Sequence, residues 1–122
     1  MNMKEFVKMF KALSDENRLR ILKILERRPL CVCEITAVLG LATSTISSHL
    51  AILRDAGFIQ DHKEGKWVNY ELIREPEDSI PTELLLRLLQ WLDKNEIVRN
   101  DKSIAADVDR FTLCHIPDKQ TK

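Results

Sequence analysis

Two thiols one residue apart, Cys31-Val32-Cys33, are the residues of this chain whose type and spacing promise chemistry. Thiolates are soft ligands that select thiophilic ions over magnesium or calcium. Exposed thiols of low pKa also oxidise reversibly, and a cysteine that does neither packs as a small hydrophobe. Metal binding, redox switching and packing therefore all stand as uses of the pair. A further cysteine, Cys114, lies far along in Leu113-Cys114-His115. Three cysteines are an odd count, too sparse for a disulfide framework. Met1-Asn2-Met3-Lys4 has no apolar signal stretch behind it, so a reducing, cytoplasmic setting is expected.

The pair opens a short helix expected from about Cys31 to Leu39, with Ile35, Val38 and Leu39 inward and Gly40 closing it in a left-handed cap. Residues i and i+2 lie roughly 200° apart around a helix. Sharing one ion thus requires that Cys31 precede the first full turn, or that binding unwind that turn. Pro29 favours an irregular start. The next helix, roughly Ala42 to Ala56, is rich in mediocre helix formers: Thr43, Ser44, Thr45, Ser47 and Ser48. Helical spacing gathers Ile46, Leu50 and Leu53 on one side and turns Ser44 and Ser48 directly away, with Thr45 and Ser47 flanking. Small hydroxyls on such a face can approach phosphates and base edges closely, although a merely solvated face reads the same way.

Two strand-like runs follow, Phe58 to His62 and Trp67 to Leu72, around Lys63-Glu64-Gly65-Lys66, a hairpin with a basic tip. Helix, turn, helix, hairpin is the winged helix-turn-helix plan, so the expected fold is mainly α with a small β-hairpin (α+β). Upstream, Phe6, Val7, Phe10 and Leu13 form an amphipathic helix. Ser14-Asp15-Glu16 reads as an N-cap, and Leu19 to Leu25 as a core helix running until Pro29. Downstream, the polar connector Arg74 to Asp78 leads to Pro81, at the start of a last helix carrying Leu84, Leu85, Leu86, Leu88, Leu89, Trp91, Leu92, Ile97 and Val98. A monomer of 122 residues cannot bury all of that surface. A two-fold homodimer interface is expected there, with help from the Phe6 and Phe10 helix. The domain is placed at residues 1–100 and a polar tail carrying Cys114 at 101–122.

Net charge is zero, but the part up to Arg74 holds 12 Lys/Arg against 9 Asp/Glu and the remainder 7 against 10. The basic part coincides with the expected DNA reader, which need be basic only where it meets phosphate. No apolar run is long enough to span a bilayer, so no membrane partner is expected. Catalysis has no visible constellation. The spacing is not Cys-x-x-Cys, no βαβ pattern surrounds it, and the three histidines lack acid or nucleophile partners. An enzyme is not expected.

The segments Leu13-Ser14-Asp15-Glu16-Asn17-Arg18-Leu19-Arg20-Ile21, Leu30-Cys31-Val32-Cys33-Glu34-Ile35, Ser47-Ser48-His49-Leu50, Leu53-Arg54-Asp55-Ala56-Gly57 and Gly65-Lys66-Trp67-Val68-Asn69-Tyr70 together resemble the ArsR/SmtB repressors. The resemblance covers roughly Phe6 to Leu72. It implies a homodimer seated on double-stranded operator DNA until a toxic metal or metalloid binds and lowers its affinity. Cys31 and Cys33 are similar to the thiolate site of the arsenite-responsive and cadmium/lead-responsive branches. Arsenite-type members often carry a third cysteine three residues after the second, where this chain has Thr36, and the cadmium/lead branch adds cysteines from an N-terminal arm that has none here. Cys114 is then the candidate third sulfur, and His115 a fourth ligand for cadmium. A small cellular thiol is the other candidate for the third place. The last helix has Asp93 but no histidine, unlike the zinc-type site. The implied effector is arsenite, with antimonite, cadmium or lead as alternatives; a thiol redox or persulfide signal at the same cysteines is the other reading. Ser44, Thr45, Ser47, Ser48 and His49 are the implied DNA contacts, with Arg54, Lys63 and Lys66 on phosphate. His49 also reads as a flank residue bonded to backbone.

Overall fold

The computed structural model describes residues 1–108, and Cys114 and His115 lie outside them. Helix α1 (Met3–Leu13) starts in a reciprocal cap: Glu5 N–H donates to Asn2 Oδ1 at 2.9 Å, and Asn2 N–H to Glu5 Oε1 at 2.8 Å. It buries Met9 and Ala12 and half-buries Phe6 and Leu13, leaving Val7 and Phe10 on the outside.

Helix α2 (Glu16–Leu25) is the central one, with Ile21, Leu22, Ile24 and Leu25 all buried. Asp15 caps it, accepting from Asn17 N–H at 2.8 Å and Arg18 N–H at 3.2 Å. Burial opposes ionisation of Asp15, yet the Arg18 N–H and guanidinium outweigh it and hold the carboxyl below its ordinary value. Asp15→Ala is therefore expected to cost about 1 kcal/mol in urea unfolding at neutral pH. Because the folded-state pKa is depressed, that contribution is present above the ordinary carboxylate pKa and lost as pH falls through the folded value. A mutant deficit that stays constant into acid would contradict this.

Helix α2 stops at Leu25, earlier than the expected end at Pro29: Glu26 keeps helical backbone angles, but its N–H donates to Lys23 O at 3.2 Å, an i to i−3 bond that tightens the last turn and ends the α-helical pattern. A two-residue strand follows, β1 (Leu30–Cys31), so Cys31 is not helical as expected but extended, at φ −90° and ψ 169°. Helix α3 (Val32–Leu39) ends at Gly40, whose φ of +73° is the left-handed cap the sequence called for. Helix α4 (Thr43–Asp55) begins after the three residues 40–42, and the two axes bend by 111°. That is the geometry of a helix-turn-helix. Gly57, at φ +92°, closes α4: its N–H reaches Arg54 O and Phe58 N–H reaches Leu53 O, each at 3.1 Å. This double cap turns the chain straight into the wing.

The wing consists of β2 (Ile59–Glu64) and β3 (Trp67–Leu72), paired antiparallel from Ile59↔Leu72 to Glu64↔Trp67. The tip is thus the two residues Gly65 and Lys66, and β2 runs two residues beyond its expected end, taking in Lys63. Gly65 has the φ of +63° that such a tight loop needs at its first position. β1 adds to the far edge of β3, giving the order β1-β3-β2. The expected hairpin is therefore part of a three-stranded sheet, and the architecture is a winged helix-turn-helix.

The single expected last helix is two, α5 (Ile80–Trp91) and α6 (Glu96–Ala106). Asn95 makes the break, its Oδ1 accepting from Ile97 N–H at 2.9 Å and Val98 N–H at 3.2 Å. The redirected α6 packs on α2 and α3. There the buried Asp101 takes a two-pronged bond from Arg20, Nε to Oδ2 at 2.9 Å and Nη2 to Oδ1 at 3.1 Å. The expected division at residue 100 falls inside this helix. Lys23, wholly buried, joins α2 to the end of α5 by donating to Leu89 O at 2.9 Å and to Glu26 and Asp93, each at 2.6 Å. Among the described residues no single helix is long and apolar enough to cross a membrane.

Candidate nucleic-acid interface and thiol site

Ile46, Leu50 and Leu53 turn inward from α4 at 0–1 % exposure, joining Ile35, Val38 and Leu39 of α3 in one core. Ser44, Thr45, Ser47 and Ser48 are all exposed. The hydroxyl-bearing side expected from the spacing is thus a free helix face. His49 is only half-buried at its flank, and its Nδ1 lies 3.1 Å from Arg18 Nη1. Its partner is a side chain of α2 and not the backbone. Arg54 is exposed and paired with Asp61 Oδ2 at 2.6 Å, which ties the end of α4 to β2. Exposed ion pairs contribute under about 1 kcal/mol, so a phosphate can compete for this guanidinium. Lys63 sits on β2 opposite Val68 and Lys66 at the tip, both exposed.

At the other end of the helix-turn-helix, Cys31 is the N-cap of α3 and only 3 % exposed. Glu34 closes a capping box with it. The Cys31 sulfur takes the Glu34 N–H, and Glu34 Oε1 accepts from Cys31 N–H at 2.9 Å. Glu34 is itself buried, its Oε2 held by Arg28 Nη1 at 3.2 Å. Arg28 also donates from Nη2 to Val108 O at 3.3 Å, where the described chain ends. Cys33 is half-buried one residue into the helix and is disulfide-bonded, whereas Cys31 is a free thiol. Thr36, three residues after Cys33, donates its hydroxyl to Cys33 O at 2.8 Å.

Extended at the strand–helix junction, Cys31 precedes the first turn of α3, whereas Cys33 lies within it. Among the described residues no group of three or more histidine, cysteine or carboxylate side chains is gathered to hold a metal ion. Any third ligand comes from elsewhere, and the expected one, Cys114, lies outside the described residues. Burial is the main influence pushing the Cys31 thiol above its ordinary value, and the Glu34 carboxylate adds to it against the backbone N–H groups. Glu34→Gln keeps the cap acceptor and removes the charge. The inflection in the pH dependence of Cys31 alkylation is expected to move to lower pH in that variant. An unmoved inflection would leave burial as the whole cause.

The sequence reading missed Glu34, Arg18 and Arg28 as supporting residues. The Glu34 signal was available, since a glutamate three residues after an N-cap is a capping-box pattern; the two arginines act through long-range contacts that no local pattern records.

Comparison with known proteins matches residues 15–61 to the family described as bacterial regulatory protein, arsR family. The chain is 46% identical over 67 residues to the arsenical resistance operon repressor of Escherichia coli, spanning 54% of this chain and 57% of that one. It is 38% identical over 107 residues to the arsenic resistance transcriptional regulator ArsR1 of Pseudomonas putida, spanning 84% of this chain and 74% of the other. The reduced form of HlyU from Vibrio cholerae superposes with a TM-score of 0.62 at 31% identity, over 75% of this chain and 92% of that one.

Proposed function

The chain belongs to the ArsR family of bacterial regulatory proteins, DNA-binding transcriptional repressors and not enzymes, and from that premise we propose that it is a homodimeric repressor released from its operator by arsenite. The observation that carries the reading is the position of Cys31, at the N-cap of the helix that packs directly on α4. As a regulator of genes it works in the cytoplasm, on double-stranded DNA. The exposed hydroxyl face of α4 enters the major groove, with Ser44, Thr45, Ser47, Ser48 and His49 toward the bases and Arg54, Lys63 and Lys66 toward phosphate. Dimerisation covers Met3, Val7 and Phe10 of α1, which are 45–75 % exposed, and Trp91 of α5 at 68 %.

Arsenite is the signal, a trivalent thiophilic centre that joins cysteine sulfurs when bound. The donor set suits it: Cys31, Cys33 once reduced, and Cys114 as third sulfur. To become a ligand, Cys31 would replace a hydroxide of arsenite, its thiol proton leaving with that hydroxide as water, and its sulfur would give up the Glu34 N–H that it now accepts. The first turn of α3 loses its cap, and α3 shifts against the Ile46 and Leu50 side of α4. The two reading helices of the dimer then lose their DNA-competent spacing. Cadmium and lead are the neighbouring possibilities for the same thiols.

Anisotropy of a labelled fragment from upstream of its own gene tests this, with reduced protein titrated by arsenite, antimonite, cadmium, lead and zinc. Release by arsenite at the lowest concentration, weakened by Cys114→Ser, is expected. Release by zinc but not arsenite would overturn the assignment. A thiol-oxidation signal is favoured by one observation, the disulfide at Cys33. Release by peroxide or polysulfide in metal-free buffer would select that reading.

A further inference from the structure

His49 is the one aromatic side chain on the reading helix, and its ring is held by a residue that the DNA reading leaves unused. Arg18 Nη1 lies 3.1 Å from His49 Nδ1. A guanidinium carries only donors, so the nitrogen it meets must be the acceptor. The contact thereby assigns Nδ1 as the acceptor and leaves the ring N–H on Nε2. Arg18 is itself fixed from behind: Nε donates to Ala12 O at 2.7 Å and Nη2 to Lys11 O at 3.3 Å, the last carbonyls of α1. Asp15, 4.0 Å from Nη1, completes its surroundings, and the Arg18 side chain is 13 % exposed. Three elements thus converge on one guanidinium, which hands a defined tautomer to α4. Among the described residues Nε2 has no hydrogen-bond partner.

We propose that Arg18 is a positioning residue for DNA recognition, holding His49 as an Nε2–H donor aimed at a hydrogen-bond acceptor of DNA. This rests on α4 being the reading helix. A ring held this way donates to N7 of guanine or adenine, to guanine O6, to thymine O4, or to a phosphate oxygen. It has no acceptor left for the amino groups of cytosine or adenine. Arg18 therefore acts through His49, and because it also holds the carbonyls at the end of α1, it links the helix proposed for dimerisation to the reading face.

The test is a double-mutant cycle, with binding to the fragment upstream of its own gene and to a scrambled duplex of equal length measured by anisotropy. Arg18→Met is expected to weaken binding to the fragment roughly three- to tenfold when His49 is present and less than about twofold in the His49→Ala background. Arg18→Lys, which keeps a donor and the charge, guards against misfolding and should fall between wild type and Arg18→Met. His49→Gln, which sets an amide N–H near the Nε2 position, should recover part of the His49→Ala loss. A loss on the fragment alone points to a base edge, and an equal loss on both duplexes to phosphate. An Arg18→Met effect of the same size in both backgrounds, with thermal melts showing folded protein, would overturn the inference and leave the DNA reading intact. Wild-type protein that binds neither duplex would overturn both.

Discussion

Reduced protein carrying Cys31→Ser and Cys33→Ser together is expected to stay on its DNA at arsenite concentrations that release the wild type completely. The double substitution removes both proposed sulfur ligands and should leave the fold intact, because serine is a better N-cap than cysteine and its Oγ can take the Glu34 N–H that the Cys31 sulfur now accepts. DNA affinity without effector should therefore change little. The expected loss is large. Moving a population from 99% bound to 99% released requires about 10⁴-fold preference of the ligand for the released state, roughly 5.5 kcal/mol. A variant with one remaining thiol cannot supply it. Paired anisotropy titrations of wild type and double variant check this, and equal release by arsenite from both would remove these cysteines from the mechanism.

Phe58→Ala is expected to be the most damaging single truncation in the reader, at about 3–5 kcal/mol. Phe58 is wholly buried where α4 hands over to the wing, and its backbone is held on both sides, N–H to Leu53 O at 3.1 Å and O from Ile73 N–H at 2.9 Å. Those bonds keep the backbone in place, so the cavity left by the ring cannot collapse easily. Against the 5–15 kcal/mol that typically holds a domain together, the loss is a large share. Urea unfolding measures it, with Ile52→Ala as control: Ile52 lies on α4, just before the junction, at 42 % exposure and should cost under about 0.5 kcal/mol. A Phe58→Ala cost below 1 kcal/mol would show that the α4–wing junction is not packed as described.

Local signals carried most of the reader. The spacing of Ile46, Leu50 and Leu53 defined the inner face of α4, and all three are at 0–1 % exposure. Gly40 and Gly65 marked two turns that do need a positive φ. What escaped depends on partners distant in the chain. β1 is two residues long and exists only because Leu30 and Cys31 pair with Tyr70 and Asn69, so nothing local separates it from the helix that follows. The break between α5 and α6 was hidden by an apolar pattern that continues through Trp91 and Leu92 to Ile97 and Val98. It is fixed by the Asn95 cap and by Asp101 reaching Arg20 on α2. Arg18 and His49 are 31 residues apart, and only the tertiary fold joins them. The thiol pair was legible as chemistry, but its burial and its capping bond to Glu34 were not, since both follow from the placement of Cys31 at the strand–helix junction.

In the proposed mechanism, thiol ligation at the start of α3 frees α4 from DNA. The most direct measurement follows two signals through one titration of reduced protein on its promoter fragment: arsenic bound per protomer, by equilibrium dialysis with elemental analysis, and fluorescence anisotropy of the DNA. Both signals are expected to move together with one midpoint, and neither to move in the Cys31→Ser, Cys33→Ser variant. DNA still fully bound once arsenic has saturated the protein, or released before any arsenic is bound, would contradict it.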